Sequence, residues 1–143
     1  MRYNKKYQRY YTCKIRKEDV LMKNGLKRFD IVLVDFGENT IDSEQGGIRP
    51  AIIIQNDIGN LHSSTTLVMP LSSNTNKNPY QATHTLLKKG SGKGLKCDSL
   101  VLGECMRQIS EKRIKKYLGA ISDIKERKEI KRVYDANFGE WVM

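Results

Sequence analysis

The chain has 143 residues, a formal net charge of +10 and 38% hydrophobic content, the profile of one water-soluble domain with a real core. No run approaches the roughly 20 apolar residues that span a bilayer, and the N-terminus carries bases without the apolar stretch of a secretory signal. Cys13, Cys97 and Cys105 are odd in number and form no Cys-x-x-Cys pair, which argues against a disulfide framework or a zinc site and fits reduced thiols in a cytoplasm.

The positive charge is unevenly placed. Residues 1–28 hold ten Lys/Arg against Glu18 and Asp19, a net +8, and leave +2 for the rest, 16 bases against 14 acids. Tyr3, Tyr7, Tyr10 and Tyr11 interleave with these charges. Such an arm, residues 1–27, can meet nucleic acid through charge and stacking, or can serve as a solubilising extension.

A folded body is expected from Lys27 onward. Asp30–Phe36 (DIVLVDF) reads as a first strand, ended by Gly37, and residues 37–48 as a long polar loop. Pro50–Gln55 is a continuous apolar run, suited to a strand covered on both faces. Asn56–Ser64 reads as a turn. Thr65–Ser72 (TTLVMPLS), Ala82–Lys89 and Ser99–Ile109 read as three further strands, with a basic glycine-rich turn at 89–96. Ser110 is expected to cap a short helix through Tyr117, closed by Gly119, and Ser122 a longer one. In the latter, Ile130, Val133, Tyr134 and Phe138 share one face, opposite Lys125, Glu126, Lys128, Glu129 and Lys131. The expectation is a mainly β (α+β) fold: a small antiparallel barrel with a C-terminal helix across it.

Few residues offer chemistry. There is no His-x-x-x-His, no clustered Asp pair, no Gly-x-Ser-x-Gly elbow, and the segment GSGKG at 90–94 lacks the spacing of a phosphate loop. The stretch SEQGGIRPAIIIQND at 43–57 is different. Gly46 and Gly47 permit close approach of another backbone or of a phosphate. Pro50 stiffens the chain just after Arg49, so the guanidinium is presented where a loop becomes a strand. There it can fork onto a phosphate, or bridge the loop to a carboxylate such as Glu44.

The run VDFGENTIDSEQGGIRPAIIIQNDIGN, followed by TTLVMPLS, by ATH at 82–84 and by DSLVLGECMRQISEKRIKKYLG at 98–119, resembles the MazF/PemK family of toxin endoribonucleases. The resemblance covers about residues 28–138 and leaves the arm outside. It implies an SH3-like barrel with a C-terminal helix, usually a homodimer, inhibited by a cognate antitoxin protein. It further implies metal-independent, cofactor-free cleavage of single-stranded RNA through the substrate's own 2′-OH, leaving a 2′,3′-cyclic phosphate and a 5′-OH.

Residue by residue, the resemblance gives Arg49 the role of catalytic arginine. It places Ser72 where the family usually has threonine, with Ser73 adjacent as an alternative hydroxyl. Glu44 matches an acid that takes the 2′-OH proton or orients Arg49. Ser43, Gln45, Gly46, Gly47, Ser73, His84, Glu104 and Arg107 are the implied RNA-contacting set, with His84 also able to shuttle a proton or serve structurally. Cys105 stands where the family usually has glutamine, so the RNA sequence recognised does not transfer. The alternatives on the same scaffold are a gyrase-poisoning toxin of the CcdB type and an inactive regulatory relative.

Overall fold

The computed structural model describes residues 25–42 and 44–140. Seven strands form one antiparallel sheet: β1 (Asp30–Asp35), β2 (Ile48–Ile53), β3 (Thr65–Ser72), β4 (His84–Leu87), β5 (Ser99–Leu102), β6 (Arg107–Ser110) and β7 (Ile114–Ala120). Their order is β4-β5-β3-β2-β1-β7, with β6 beside the first half of β3. Two helices are present among the described residues, α1 (Asp57–His62) and α2 (Ile124–Ala136). The expected β-rich fold with a terminal helix is therefore found. The hydrogen-bonded ladder itself stays open between β4 and β7.

β1 and β2 bury both faces, as a continuous apolar run demands. Ile31 and Ile52 point into a core shared with Met69, Leu71, Val101, Ile130 and Val133, while Val32, Val34, Ala51 and Ile53 pack on the other side with Val68, Ile109 and Ile114. Leu26 joins the second cluster, so the packed body already includes it. The basic arm, apart from residues 25–27, lies outside the described residues.

Several expectations need correction. The strand expected over 99–109 is broken by a 3-10 turn at Gly103–Cys105. Between the pairs Leu71↔Val101 and Val68↔Arg107, three steps along β3 oppose six on the partner side, and the turn takes up the surplus. Gly103 permits it: its N–H donates to the Thr83 carbonyl, and a Cβ there would overlap Val133. The helix expected over 110–117 is only a 3-10 turn, Glu111–Arg113, capped by the Ser110 side chain; Ile114–Ala120 continues as β7 along the edge of β1. Long-range pairing to an otherwise bare sheet edge outweighs a weak local helix signal. The turn at 56–64 contains α1, whose Asn56 side chain accepts from the Gly59 N–H. The cap of α2 is Asp123 rather than Ser122. In α2, Ile130 and Val133 are buried as expected, whereas Tyr134 and Phe138 remain partly exposed and pack on each other, ring centroids 5.2 Å apart.

The glycine-rich turn after β4 covers the outer side of β7. A Cβ at Gly94 would coincide with the Leu118 carbonyl, one at Gly119 would overlap the Gly92 carbonyl, and one at Gly92 would lie 2.7 Å from Ile31 Cδ1. Three glycines thus let two backbones touch where the ladder is open. Ser91 Oγ donates to Glu126 of α2 at 2.7 Å and ties the same turn to the helix.

Where the chain enters the domain, Asp30 is buried and accepts from the Lys27 N–H at 2.8 Å. Burial pushes its carboxyl up to about 6 from the ordinary 3.8; the Lys27 hydrogen bond opposes this and nearby Asp57 adds to it. A carboxyl raised in the folded state contributes stability that is complete below the unfolded value, near 3.8, and is lost as pH rises through about 6. Asp30→Asn should therefore gain on the order of 1–3 kcal/mol relative to the parent at pH 8 and little at pH 4, read from urea midpoints at the two pH values. Gly94→Ala should cost more than about 3 kcal/mol in the same assay. Gly90→Ala, with open space around it but φ of +92°, should cost only about 1 kcal/mol. Equal losses for the two glycines would contradict the strap contact.

Candidate active site

The β1–β2 loop folds back on itself before it reaches the strand. Phe36 N–H donates to the Gly47 carbonyl at 2.9 Å and Gly47 N–H to the Gly37 carbonyl at 2.7 Å, with Gly47 at φ +74°. A Cβ on Gly46 would lie 3.0 Å from the Gly37 carbonyl oxygen. These glycines therefore serve backbone-to-backbone approach, one of the two uses their sequence allows.

Arg49 follows on β2, paired with Val34, and is only 8% exposed. Its Nε donates to the Gly46 carbonyl at 3.0 Å, and Nη1 donates to Gln45 Oε1 at 2.7 Å and to the Leu71 carbonyl at 3.4 Å. These three acceptors are uncharged, and together they fix the direction in which the guanidinium points. The Leu71 contact brings in the end of β3. β2 and β3 pair Ala51 with Pro70, and the same register carried two residues further sets Arg49 level with Ser72. Ser72 is buried, and its Oγ accepts from the Asn74 N–H at 3.2 Å. Ser73 is buried as well.

Gln45, which receives Arg49, also lines a groove of about 720 Å³ between the β1–β2 loop and the bulge before β6, whose walls do not include Arg49, Ser72 or Ser73. Glu44, Gln45, Glu104 and Arg107 all line it, so four predicted residues from two distant segments meet here. Glu44 is exposed, and its carboxylate accepts from the Ile41 N–H at 2.9 Å. Arg107 stacks over the Phe36 ring, 5.6 Å from its centroid. Ser43 lies outside the described residues.

His84 does not reach the groove itself; it is buried at the start of β4. Its Nε2 lies 2.7 Å from Glu104 Oε1, and its Nδ1, facing a carbonyl that can only accept, donates to Asn78 O at 2.8 Å. Thr83 Oγ1 donates to the second Glu104 oxygen at 3.0 Å. Helix α2 secures the same corner: Arg132 donates to the carbonyls of Ala82 and His84, and Asn137 to that of Gly103. Glu104 is thus fixed by both oxygens on a frame anchored to α2.

Cys105 sits between Glu104 and the Arg49 side. Burial, with Glu104 adding, pushes its thiol up, while Lys77, Arg49 and a hydrogen bond from Gln45 pull the other way. A thiol held protonated is a packing group, not a nucleophile. Among the described residues, no cluster of His, Cys, Asp and Glu converges as a metal site, and no described helix is long and apolar enough to cross a membrane.

Sequence reasoning missed Phe36, Arg113 and Thr83. Phe36 reads as the last apolar residue of a strand, and its ring becomes an arginine platform only through the β1–β6 approach. Arg113, on the groove wall with Nη1 donating to the Asp35 carbonyl at 3.2 Å, is hidden in a charged stretch. Thr83 stands beside His84 in sequence, and its role emerges only from Glu104.

Comparison with known proteins places the family and the fold. Residues 27–133 match the family described as PemK-like, MazF-like toxin of type II toxin-antitoxin system. A curated relative, Endoribonuclease MazF of Staphylococcus saprophyticus, is 39% identical over 114 residues, covering 80% of this chain and 92% of the relative. Among solved structures, MazF from Deinococcus radiodurans superposes with a TM-score of 0.64 at 18% identity, covering 81% of this chain and 98% of that one. A mycobacterial endoribonuclease in complex with its cognate antitoxin gives 0.64 at 17% identity, covering 82% and 99%. At these identities the structural likeness speaks for the fold, and the sequence match speaks for descent: the chain belongs to the PemK-like, MazF-like toxin family of type II toxin–antitoxin systems.

Proposed function

We propose that this toxin is an endoribonuclease that cuts single-stranded RNA by transesterification, with Arg49 and Ser72 at the scissile phosphate. The observation that carries the reading is the Arg49 guanidinium, aimed by three neutral acceptors, at a strand position level with Ser72 and joined through Gln45 to the groove. The ribose 2′-oxygen attacks phosphorus as its proton leaves to a base, and the P–O5′ bond breaks as the 5′-oxygen gains a proton. The products are a 2′,3′-cyclic phosphate and a 5′-OH.

Because the nucleophile is already part of the substrate, the protein must orient it and stabilise charge on the phosphorane oxygens. Arg49 does this with donors that need no reorganisation, and Ser72 adds a shorter-range hydrogen bond. Glu44, exposed on the groove wall, accepts the 2′-OH proton. Glu104, with both oxygens held, is suited to accept from base amino groups, with His84 and Thr83 as its positioning residues. The contact from Glu104 to His84 also offers a proton path into the buried ring. The names of the relatives extend this reading to a cognate antitoxin as inhibitor, and the family resemblance extends it to a homodimer. The basic residues 1–27 add attraction for RNA phosphates without choosing sequence.

In EDTA, the purified protein should cut a long single-stranded RNA at discrete positions, leaving 5′-OH ends on mapping. Intact RNA together with inhibited gyrase would overturn the proposal. Arg49→Lys should lower kcat on the order of 100- to 1000-fold, since an ammonium cannot fork onto two phosphate oxygens. Ser72→Ala should cost on the order of 10- to 100-fold, the worth of a hydrogen bond to a charged group. Deleting residues 1–24 should weaken RNA binding mainly at low salt and flatten the dependence of log affinity on log salt; an unchanged slope would remove the arm from the account.

A further inference from the structure

The loop joining Ser72 to His84 carries a second hollow, of about 420 Å³, lined by Asn76, Asn78, Pro79, Tyr80 and Gln81. Tyr80 is 99% exposed, more than any other large hydrophobic residue in the described chain. The ring is open to solvent, and hydrogen bonds define the turn that carries it. Asn78 through Gln81 form a turn closed by Gln81 N–H donating to the Asn78 carbonyl at 3.1 Å, and Pro79 fixes the first central position. The Asn78 carbonyl also accepts from His84 Nδ1, which is buried. Tyr80 therefore stands at the tip of a turn pinned from below.

Two hydrogen-bonded chains join this hollow to the groove. One runs from Asn78 through His84 to Glu104, and the other from Gln81 through Thr83 to Glu104. Lys77, on the same loop, is close enough to the Cys105 thiol to influence it, so a cation overlooks the passage between the two. Exposed aromatic face, flanking side-chain amides and a nearby cation are the elements of a site for an unpaired nucleobase and its phosphate.

We propose that Tyr80 is a stacking platform for one nucleobase of the RNA strand, lying just beyond the groove, with Asn76, Asn78 and Gln81 around its edge. This deepens the endoribonuclease reading and rests on it. The loop that carries Ser72 at one end then also sets how the strand is gripped, and its contribution is to substrate binding rather than to the chemical step.

The test uses full-length protein and an RNA oligonucleotide containing a mapped cut site. Tyr80→Ala should raise KM about 5- to 100-fold with kcat within about twofold, and Tyr80→Phe, which keeps the ring, should restore KM. Substrates made abasic one nucleotide at a time should show a single position where the parent loses affinity and Tyr80→Ala does not. Unchanged KM in Tyr80→Ala, or identical abasic profiles for the two proteins, overturns the proposal; so does a variant impaired only in antitoxin binding, which would make the loop a protein contact. Should the parent cut no RNA, the nuclease reading fails separately. Fluorescence anisotropy with a labelled single-stranded RNA then decides the stacking, weaker binding by Tyr80→Ala supporting it and equal binding refuting it.

Discussion

The Arg49 guanidinium joins three parts of the molecule that sequence keeps apart. Its bonds to Gly46 and Gln45 close the β1–β2 loop onto β2, and its bond to Leu71 reaches the end of β3. The acceptors are two carbonyls and an amide, and the contacts set the direction of the side chain. The same Gln45 that receives Arg49 lines the groove and bonds to Cys105, so the loop, the cation and the groove wall move as one unit.

β3 carries the second constraint. Its C-terminal end pairs with β5 and its N-terminal half with β6, and the three surplus residues between them form the corner that presents Glu104 and Cys105. A straight strand over 99–109 would have alternated these residues between the two sheet faces. The bulge instead turns them toward the β1–β2 loop, where they meet Glu44 and Gln45. The groove is thus a consequence of register.

Much of this was legible in the residues. β-branched runs gave β1 and β3 nearly residue for residue, whereas β2 begins two residues earlier than the apolar run from Pro50 suggested, so Arg49 lies within the strand. Resemblance supplied Glu104 and Arg107, which composition alone would have left among surface charges. What stayed hidden were effects of long-range contact. IKKYLGA becomes a strand because β1 offers an edge, a fact 80 residues of local propensity cannot express. Phe36 and Arg113 join the site only once β1 and the turn before β7 are neighbours. The glycines at 92 and 94 read as a flexible basic turn, whereas they serve tight backbone packing against β7.

The hold of α2 on Glu104 sets an order of events. Arg132 holds the carbonyls of Ala82 and His84, Asn137 holds that of Gly103 just before the acid, and Asn137 follows Gly103 by 34 positions. A polypeptide emerges from the ribosome N-terminus first. The loop that holds Arg49 and the strand that ends at Ser72 are therefore made before the helix that braces the acid. The corner that presents Glu104 is complete only when α2 has packed behind it, so its geometry reports on the folding of a helix far downstream in the chain.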